Sequence, residues 1–326
     1  MKKRRIRKRI GYLIFILLIS GIFILYGPFN YFRDTLITTS MTTKSHKYIA
    51  KFLYSKKTIE AVMKKNRVIE NKSDTNINIY EGKTDLDKEI LDRKEDELYK
   101  VIKIEEKTYS GYLVAIYDPS RVSLATSKYI GKKGEYITTV ATDNNAKIMM
   151  NAGGFYDPNW NSNGSIPHGI VVKDSKIISN YPKAKVGGGI VGFDNENRLI
   201  LGEYTEEEIV EKKIRDAVEF GPFLIRDGNI SKIEGNGGWG VAPRTVIAQR
   251  EDGTVLFLVI DGRSVKTIGA SMSDLLDILL RCKAYNAANM DGGSSTELLI
   301  NNKIINNPVA EGKNGLRKLP TFWMVK

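Results

Sequence analysis

The sequence predicts an α+β protein, with a mixed β-sheet domain and flanking helices preceded by one transmembrane helix and a helical stalk. Residues 10–29 carry no charge, residues 30–99 combine helical spacing with many charges, and short apolar runs broken by Gly, Pro, Asn and Asp follow residue 100. We therefore divide the chain into a basic tail (1–9), an anchor (10–29), a stalk or linker (30–99) and a folded domain (100–326).

Composition places the chain among globular proteins. It has 326 residues, of which 42% are hydrophobic and 27% are charged. The formal net charge is +12, but seven of the first nine residues are Lys or Arg, so more than half of the excess belongs to the tail. We find no RNA- or DNA-binding motif and predict no nucleic-acid partner. Anionic wall polymers or lipid surfaces fit this charge more simply.

Cysteine and histidine are too scarce for the usual metal sites. Cys282 is the only cysteine, which excludes an intramolecular disulfide, and its apolar surroundings indicate a buried structural thiol. His46 lies in the predicted stalk, and His168 follows a proline and is interpreted as a structural loop residue. The sequence requires no cofactor, although a divalent cation is possible, and it leaves the oligomeric state open.

The uncharged segment from Ile10 to Phe29 is long enough to cross a membrane. Twenty helical residues at 1.5 Å each span about 30 Å, the thickness of the hydrocarbon core. The segment lacks a small-residue cleavage site, which favours an uncleaved anchor over a signal peptide. The positive-inside rule then predicts a single-pass cell-membrane protein with a cytoplasmic N-terminus and an extracytoplasmic domain.

The segment after the anchor predicts a basic amphipathic helix. Apolar residues between Ile49 and Met63 recur every three or four positions among lysines. We favour a stalk that packs onto the folded domain, and the alternative is a helix that lies on an anionic membrane surface. Residues 86–99 are charge-dense and predict a solvated helical face.

The folded domain is predicted to be rich in strands. One long helix is evident, Ser271–Lys283, which begins with a variant of the capping box formed by Ser271 and Asp274. The strand candidates are Tyr112–Tyr117, Val122–Ala125, Lys147–Met150, Gly169–Val172, Gly189–Phe193, Thr245–Gln249, Val255–Ile260, Ala287–Met290, Glu297–Ile300 and Phe322–Val325.

Two Asp-Gly pairs follow the strands on either side of this helix. If the two strands share a sheet, a helical crossover makes them parallel, and Asp261 and Asp291 become neighbours at one edge. A single Asp-Gly is an ordinary turn, but the paired placement favours a ligand site. Arg263 stands beside the first pair, and the second continues into backbone and hydroxyl groups suited to an anion or a sugar, Gly292, Gly293, Ser294 and Ser295.

Two further motifs are candidates for the same site. In the first, an amide, a glycine turn, an aromatic ring and a carboxylate suit a sugar: Asn151, Gly154, Phe155 and Asp157, with Tyr156 as an alternative stacking ring. In the second, Arg244 begins a strand, and its planar guanidinium suits two oxygens of one phosphate. Each motif also has a non-functional interpretation: the first can be read as a plain turn and the second as a solvated arginine.

Taken together and in order, these motifs resemble the phosphodiester glycosidase family. The resemblance covers about residues 100–326 and rests on Asn151-Ala152-Gly153-Gly154-Phe155, Gly221-Pro222, Pro243-Arg244-Thr245, Asp261-Gly262-Arg263, Gly269-Ala270-Ser271-Met272, Asn289-Met290-Asp291-Gly292-Gly293-Ser294-Ser295 and Asn307-Pro308 with Arg317. It implies hydrolysis of a sugar-1-phosphate diester and adds Asn289 and Arg317 to the site. Met290 replaces the family's usual Leu, and the disulfides of the animal enzyme are absent.

The chemistry of such a diester suggests a division of roles. A phosphate monoester is a weakly basic leaving group, so cationic stabilisation matters more than protonation. We assign Arg244 and Arg263 to the phosphate, and Asp261 or Asp291 to attack at the anomeric carbon or to activation of water. Asn151 and Ser294 are expected to orient the sugar.

Three functions are compatible with these residues. The first is a hydrolase that acts on capsule, teichoic acid or exopolysaccharide at the cell surface. The second is a non-catalytic surface protein that binds an anionic glycan, and the third is a transferase that passes the sugar, or a phosphosugar, to an acceptor other than water. Release of a phosphate monoester from sugar-1-phosphate diesters separates the first from the second.

Overall fold

A computed structural model describes residues 2–28, 30–43, 46–70, 85–158, 162–182, 187–264 and 267–326. The chain forms two compact units. Met1–Arg67 and Gly235–Gly240 make up the first, and Val68–Glu234 with Val241–Lys326 make up the second. Helices dominate the first unit and strands the second, which confirms the α+β class.

The first unit contains four helices: α1 Lys2–Tyr26, α2 Asn30–Thr42, α3 Lys47–Leu53 and α4 Lys56–Lys65. Within the part of the chain that the structure describes, one helix is long and apolar enough to cross a membrane by length and composition, over Arg9–Tyr26. Phe29, the last residue of the predicted anchor, lies outside the described residues.

The predicted amphipathic helix is two helices. The hydroxyl of Ser55 accepts a hydrogen bond from the Thr58 amide, so Ser55 caps α4 and ends the preceding turn. The apolar faces of the helices form one small core of Ile37, Ala50, Tyr54, Ile59 and Val62. The 235–240 segment belongs to this unit because Asn236 donates to the side chains of Asn66 at 2.9 Å and Thr38 at 2.8 Å.

The second unit contains the remaining helices and most of the strands. The helices are α5 Leu86–Leu91, α6 Ile137–Asn144, α7 Glu206–Glu211 and α8 Met272–Arg281. The strands are β1 Arg67–Ile69 (which begins one residue earlier), β2 Tyr99–Glu105, β3 Ser110–Ile116, β4 Val122–Thr126, β5 Ile148–Asn151, β6 Ile170–Lys173, β7 Lys176–Asn180, β8 Gly189–Asp194, β9 Leu199–Gly202, β10 Ile214–Phe220, β11 Phe223–Arg226, β12 Asn229–Ile230, β13 Lys232–Glu234, β14 Arg244–Arg250, β15 Val255–Ile260, β16 Ala284–Asn289, β17 Leu298–Ile300, β18 Lys303–Ile304 and β19 Thr321–Val325.

These strands form four sheets, of which the smallest pairs β1 with β13 and the three larger ones are antiparallel. The orders of the three larger sheets, called the first, second and third below, are β7-β6-β10-β8-β9, β12-β11-β16-β14-β15-β3-β2 and β18-β17-β5-β19-β4. Each predicted strand coincides with an observed one within a few residues. One core lies between α6 and the third sheet, and a second lies between α7 and the first sheet.

The strands that precede the two Asp-Gly pairs are parallel but not adjacent. β15 and β16 each pair antiparallel with β14, which runs between them. Arg244 begins β14 opposite Ile260, so an arginine enters the edge that we expected the two aspartates to share. Asp261 and Asp291 follow strands separated by two strand spacings, about 10 Å.

The second unit begins before residue 100. α5 was predicted as part of a solvated face, but Leu86 and Ile90 are fully buried. Asp87, on the same helix, forms an ion pair with Arg250 of β14 at 2.8 Å. The many charges of α5 made its apolar side hard to recognise from sequence. Because the second unit begins at Val68, the stalk is shorter than the predicted 30–99.

The helix that links the two Asp-Gly strands forms as predicted. α8 begins after Ser271, and Ser271 and Asp274 bond each other's backbone amides as a capping box. Cys282 follows the helix and is fully buried. Burial raises the pKa of its thiol to about 12, as expected for a structural residue.

We predict that Arg250→Met lowers the free energy of unfolding by about 3 kcal/mol, because Arg250 is buried and holds Asp87, Asp252 and the Cys282 carbonyl. Urea unfolding of the detergent-solubilised protein measures this. Lys103→Met, which removes the exposed pair with Glu105, is the control and should change nothing measurable. Equal effects of the two substitutions would contradict the structural role of Arg250.

Candidate active site

A buried asparagine joins the strand ends at the site. The Asn151 side chain donates to the Asp291 carbonyl at 2.6 Å and accepts from the Thr245 hydroxyl at 2.8 Å and the Glu297 amide at 3.1 Å. It is 1% exposed. Asn151 therefore positions Asp291, and this replaces the expected contact with the sugar.

Asp291 lies at the centre of the gathered residues. Its amide donates to the Ala152 carbonyl at 3.1 Å, which places the Asp291 loop against the end of β5. The residue is half-buried. Burial raises the pKa of the carboxyl, while a hydrogen bond from Ser295 and the charges of Arg317 and His168 oppose the rise.

Arg317 connects the sugar-binding candidates. Its guanidinium lies 4.5 Å from the centre of the Phe155 ring, donates to Asp157 at 2.7 Å and reaches the Ser294 hydroxyl at 3.3 Å. Phe155 is 6% exposed, so its ring supports the arginine. The neighbouring Tyr156 is 54% exposed and is the better candidate to stack on a sugar.

Sequence reasoning missed Glu297. The residue is fully buried, and one carboxyl oxygen accepts the Arg317 amide at 2.8 Å. Burial raises the pKa of this carboxyl to about 8, although the bond from Arg317 and its charge oppose the rise. A single acidic residue at the start of the apolar run 298–300 was the available signal.

Asp261 is more enclosed than Asp291. It is 3% exposed, and one of its oxygens accepts from the Asn306 side chain at 3.2 Å and the Asn307 amide at 2.8 Å. Burial raises the pKa of Asp261, and these hydrogen bonds lower it. The carboxylate thus holds the 306–307 segment in place.

Two arginines meet above the Gly292-Gly293 turn. Arg244 is buried and donates to the Ala270 carbonyl at 3.1 Å, and burial followed by the charge of Arg263 lowers its pKa to about 10. Arg263 is exposed and lies against Gly293, where a Cβ atom would be 3.0 Å from the guanidinium. Gly293 also has φ +63°, so only glycine allows this approach.

Three further residues lie near Asp291: Asn289 and Gly154, which were predicted site residues, and His168, which was not. Asn289 is buried and donates to the Gly221 carbonyl at 3.0 Å, so it supports the backbone and lies out of reach of a ligand. A side chain at Gly154 would collide with Phe220 and contact the His168 ring. His168, interpreted from sequence as a loop residue, thus lies beside the site.

A cavity of about 640 Å³ lies elsewhere in the second unit, lined by residues such as Tyr204, Gln249 and Asn286 and by none of the predicted site residues. The side chains of Gln249 and Asn286 are already bonded to backbone groups. Among the described residues, no group of three or more His, Cys, Asp or Glu side chains is placed to hold a metal ion, and the possible divalent cation has no candidate ligand set there.

Comparison with known proteins matches this chain to one enzyme family and to two related proteins. Residues 144–326 match the family model for phosphodiester glycosidases. The SPbeta prophage-derived uncharacterized protein YomE of Bacillus subtilis is 29% identical over 200 residues, which are 59% of this chain and 30% of that protein. The N-acetylglucosamine-1-phosphodiester alpha-N-acetylglucosaminidase of Mus musculus is 22% identical over 242 residues, 66% of this chain and 44% of the mouse enzyme. The matches thus span less than half of the length of either relative.

A solved structure shares the fold. The zebrafish N-acetylglucosamine-1-phosphodiester alpha-N-acetylglucosaminidase catalytic domain matches with a TM-score of 0.58 and 18% identity, covering 72% of this chain and 85% of that one. At this identity the likeness concerns the fold alone. The family model, by contrast, covers more than half of the chain and includes the ordered motifs of the site. The chain therefore belongs to the phosphodiester glycosidase family.

Proposed function

We propose that this protein is a membrane-anchored extracytoplasmic hydrolase that cleaves the sugar from a sugar-1-phosphodiester in a cell-surface glycan such as exopolysaccharide, capsule or teichoic acid. The observation that carries the proposal is the Gly292-Gly293 turn, which has Asp291 before it and Arg244 and Arg263 against it. A carboxylate and two cationic groups thus meet at one backbone turn.

The arginines form the proposed phosphate side. Arg244 and Arg263 repel each other, and burial of Arg244 adds to the cost of keeping both charges together. A bound phosphate relieves this repulsion, and its charge grows as the sugar departs. The two arginines therefore stabilise the leaving group more than the intact diester, which is the requirement for catalysis.

Asp291 is the proposed nucleophile or base. It is more accessible than Asp261, and its raised pKa strengthens it as a proton acceptor. Asp261 instead holds Asn306 and Asn307 and positions the edge of the sheet. On the sugar side, Ser294 and Tyr156 face the substrate, while Asp157 and Phe155 hold Arg317 in place.

The first helix supports the proposed location of the enzyme. The large apolar side chains between Ile10 and Tyr26 are exposed, as a lipid-facing helix requires. Seven cationic residues precede them and favour a cytoplasmic N-terminus. The rest of the chain then lies outside the cell, where surface glycans are available as substrates.

Purified protein incubated with a panel of sugar-1-phosphate diesters should release phosphate monoesters. We expect Asp291→Asn to lower kcat by about 100-fold or more, the usual contribution of a general base. Asp261→Asn is the matched control, because asparagine keeps a carbonyl acceptor for Asn306 and Asn307, and it should cost less than about tenfold. Binding without release of monoester would instead support a glycan-binding protein.

Arg244→Lys should lower kcat/KM by about tenfold or more, since lysine keeps the charge and loses the planar fork. The thermal midpoint is measured on the same sample, because the bond to the Ala270 carbonyl is also lost. Turnover equal to that of the wild type would exclude a role for Arg244 at the phosphate. A collapse of the midpoint would make it a structural residue.

The raised pKa of Glu297 predicts how the stability of the protein depends on pH. Its pKa in the folded protein lies near 8, above the ordinary value of 4.5, so the stability that its protonated form contributes declines as pH rises towards 8. Glu297→Gln mimics the protonated form at every pH. Its thermal midpoint should match the wild type near pH 4 and exceed it increasingly up to pH 8, and a constant difference would contradict this assignment.

A further inference from the structure

The helices that follow α1 carry large aromatic side chains that no part of the described chain covers. Phe52 is 87% exposed, Tyr31 72%, Tyr48 65% and Phe32 55%. We refer to these four residues as the aromatic collar. Tyr48 and Phe52 are four residues apart on α3 and therefore lie on the same face. Their apolar area calls for a partner other than water.

The collar is held at the end of the apolar helix. The Tyr26 hydroxyl donates to the Leu53 carbonyl at 2.8 Å, and the Tyr54 hydroxyl donates to the Leu25 carbonyl at 3.0 Å. The rings of Tyr26 and Tyr54 are also in contact, with centroids 5.7 Å apart. These contacts join the end of α3, next to Phe52, to the last turn of α1.

Lysines are frequent in the sequence around Tyr48 and Phe52. Residues 47–65 contain six lysines and one acidic residue, Glu60. Lys51, Lys56 and Lys57 are exposed. Lys51 and Lys56 stand one position before and four positions after Phe52, so positive charge borders the most exposed ring. Aromatic rings flanked by lysines are typical of segments that lie at the headgroup level of an anionic bilayer.

We propose that the aromatic collar and its lysines seat α2 and α3 in the outer headgroup layer of an anionic membrane, an inference that rests on the proposed anchoring of α1. The occupant is a lipid surface because the collar continues directly from the helix proposed to cross the bilayer, and because its charge complements anionic headgroups. This gives the exposed side of the amphipathic segment the second role considered from sequence, contact with the membrane surface, in place of a stalk that packs onto the folded domain.

Site-specific fluorescence on the full chain tests this seating. In a Cys282→Ser background, single cysteines replace Phe52, Ile16 or Val210 and carry the same environment-sensitive dye. Cys282 is fully buried, and its replacement removes the one native thiol. The Ile16 label reports on anchoring. Val210 is 69% exposed on α7 and controls for the affinity of the dye itself for lipid.

The labelled proteins are reconstituted into phosphatidylcholine vesicles with or without 30% phosphatidylglycerol. We expect a nitroxide-bearing lipid to quench the Phe52 label at least twofold more than the Val210 label, and the quenching to increase with phosphatidylglycerol. Lys51→Glu combined with Lys56→Glu should remove that increase without changing quenching of the Ile16 label.

Failure of the collar and failure of the anchor give different results. A lipid-quenched Ile16 label with a Phe52 label that aqueous iodide quenches as fully as the Val210 label would overturn the seating and leave the anchor intact. A Phe52 label shielded from both quenchers would show that protein covers the collar, which also overturns the proposal. If the lipid quencher reaches neither the Ile16 nor the Phe52 label, anchoring and seating fail together.

Discussion

The candidate site depends on one buried amide. Asn151 ends β5, and its side chain bonds the Asp291 carbonyl, the Thr245 hydroxyl and the Glu297 amide. A buried amide without partners costs about 1–3 kcal/mol, so the segments that carry these partners are held in a single arrangement. The edge of the seven-stranded sheet and the end of β5 thereby meet at Asp291, and the other groups of the site take their positions around that junction.

Burial then sets the chemistry of the groups around this junction. It raises the pKa of Asp261, Asp291 and Glu297 and lowers that of Arg244. Each shift records the cost of removing a charge from water. A site assembled from such groups has little solvent to reorganise when charge moves during a reaction. Our proposed division of roles follows from accessibility, since Asp291 is open to a ligand and Asp261 is committed to the Asn306–Asn307 segment.

Local pattern predicted the apolar strands and failed where charges alternate. β15 is an uninterrupted apolar run, and its limits were predicted at Val255–Ile260. β2 and β7 alternate exposed and more buried positions and carry lysines, and neither was among the predicted strands. β10 carries Arg215 and Asp216, which pair with each other at 2.8 Å and so conceal a strand in the centre of its sheet. Pairing with neighbouring strands stabilises these segments although their charged residues are unfavourable for a strand.

The sequence by itself determined the family, the α+β class and an apolar N-terminal helix, and it supplied most of the polar residues of the candidate site, because each of these follows from local composition and ordered motifs. Tertiary structure decided which of these residues are buried supports and which remain accessible. It placed β14 between the two Asp-Gly strands, turned Asn151, Asn289 and Phe155 into supports, and added Glu297 and His168. Burial and hydrogen-bond partners arise between segments far apart in the chain, and no local pattern encodes them.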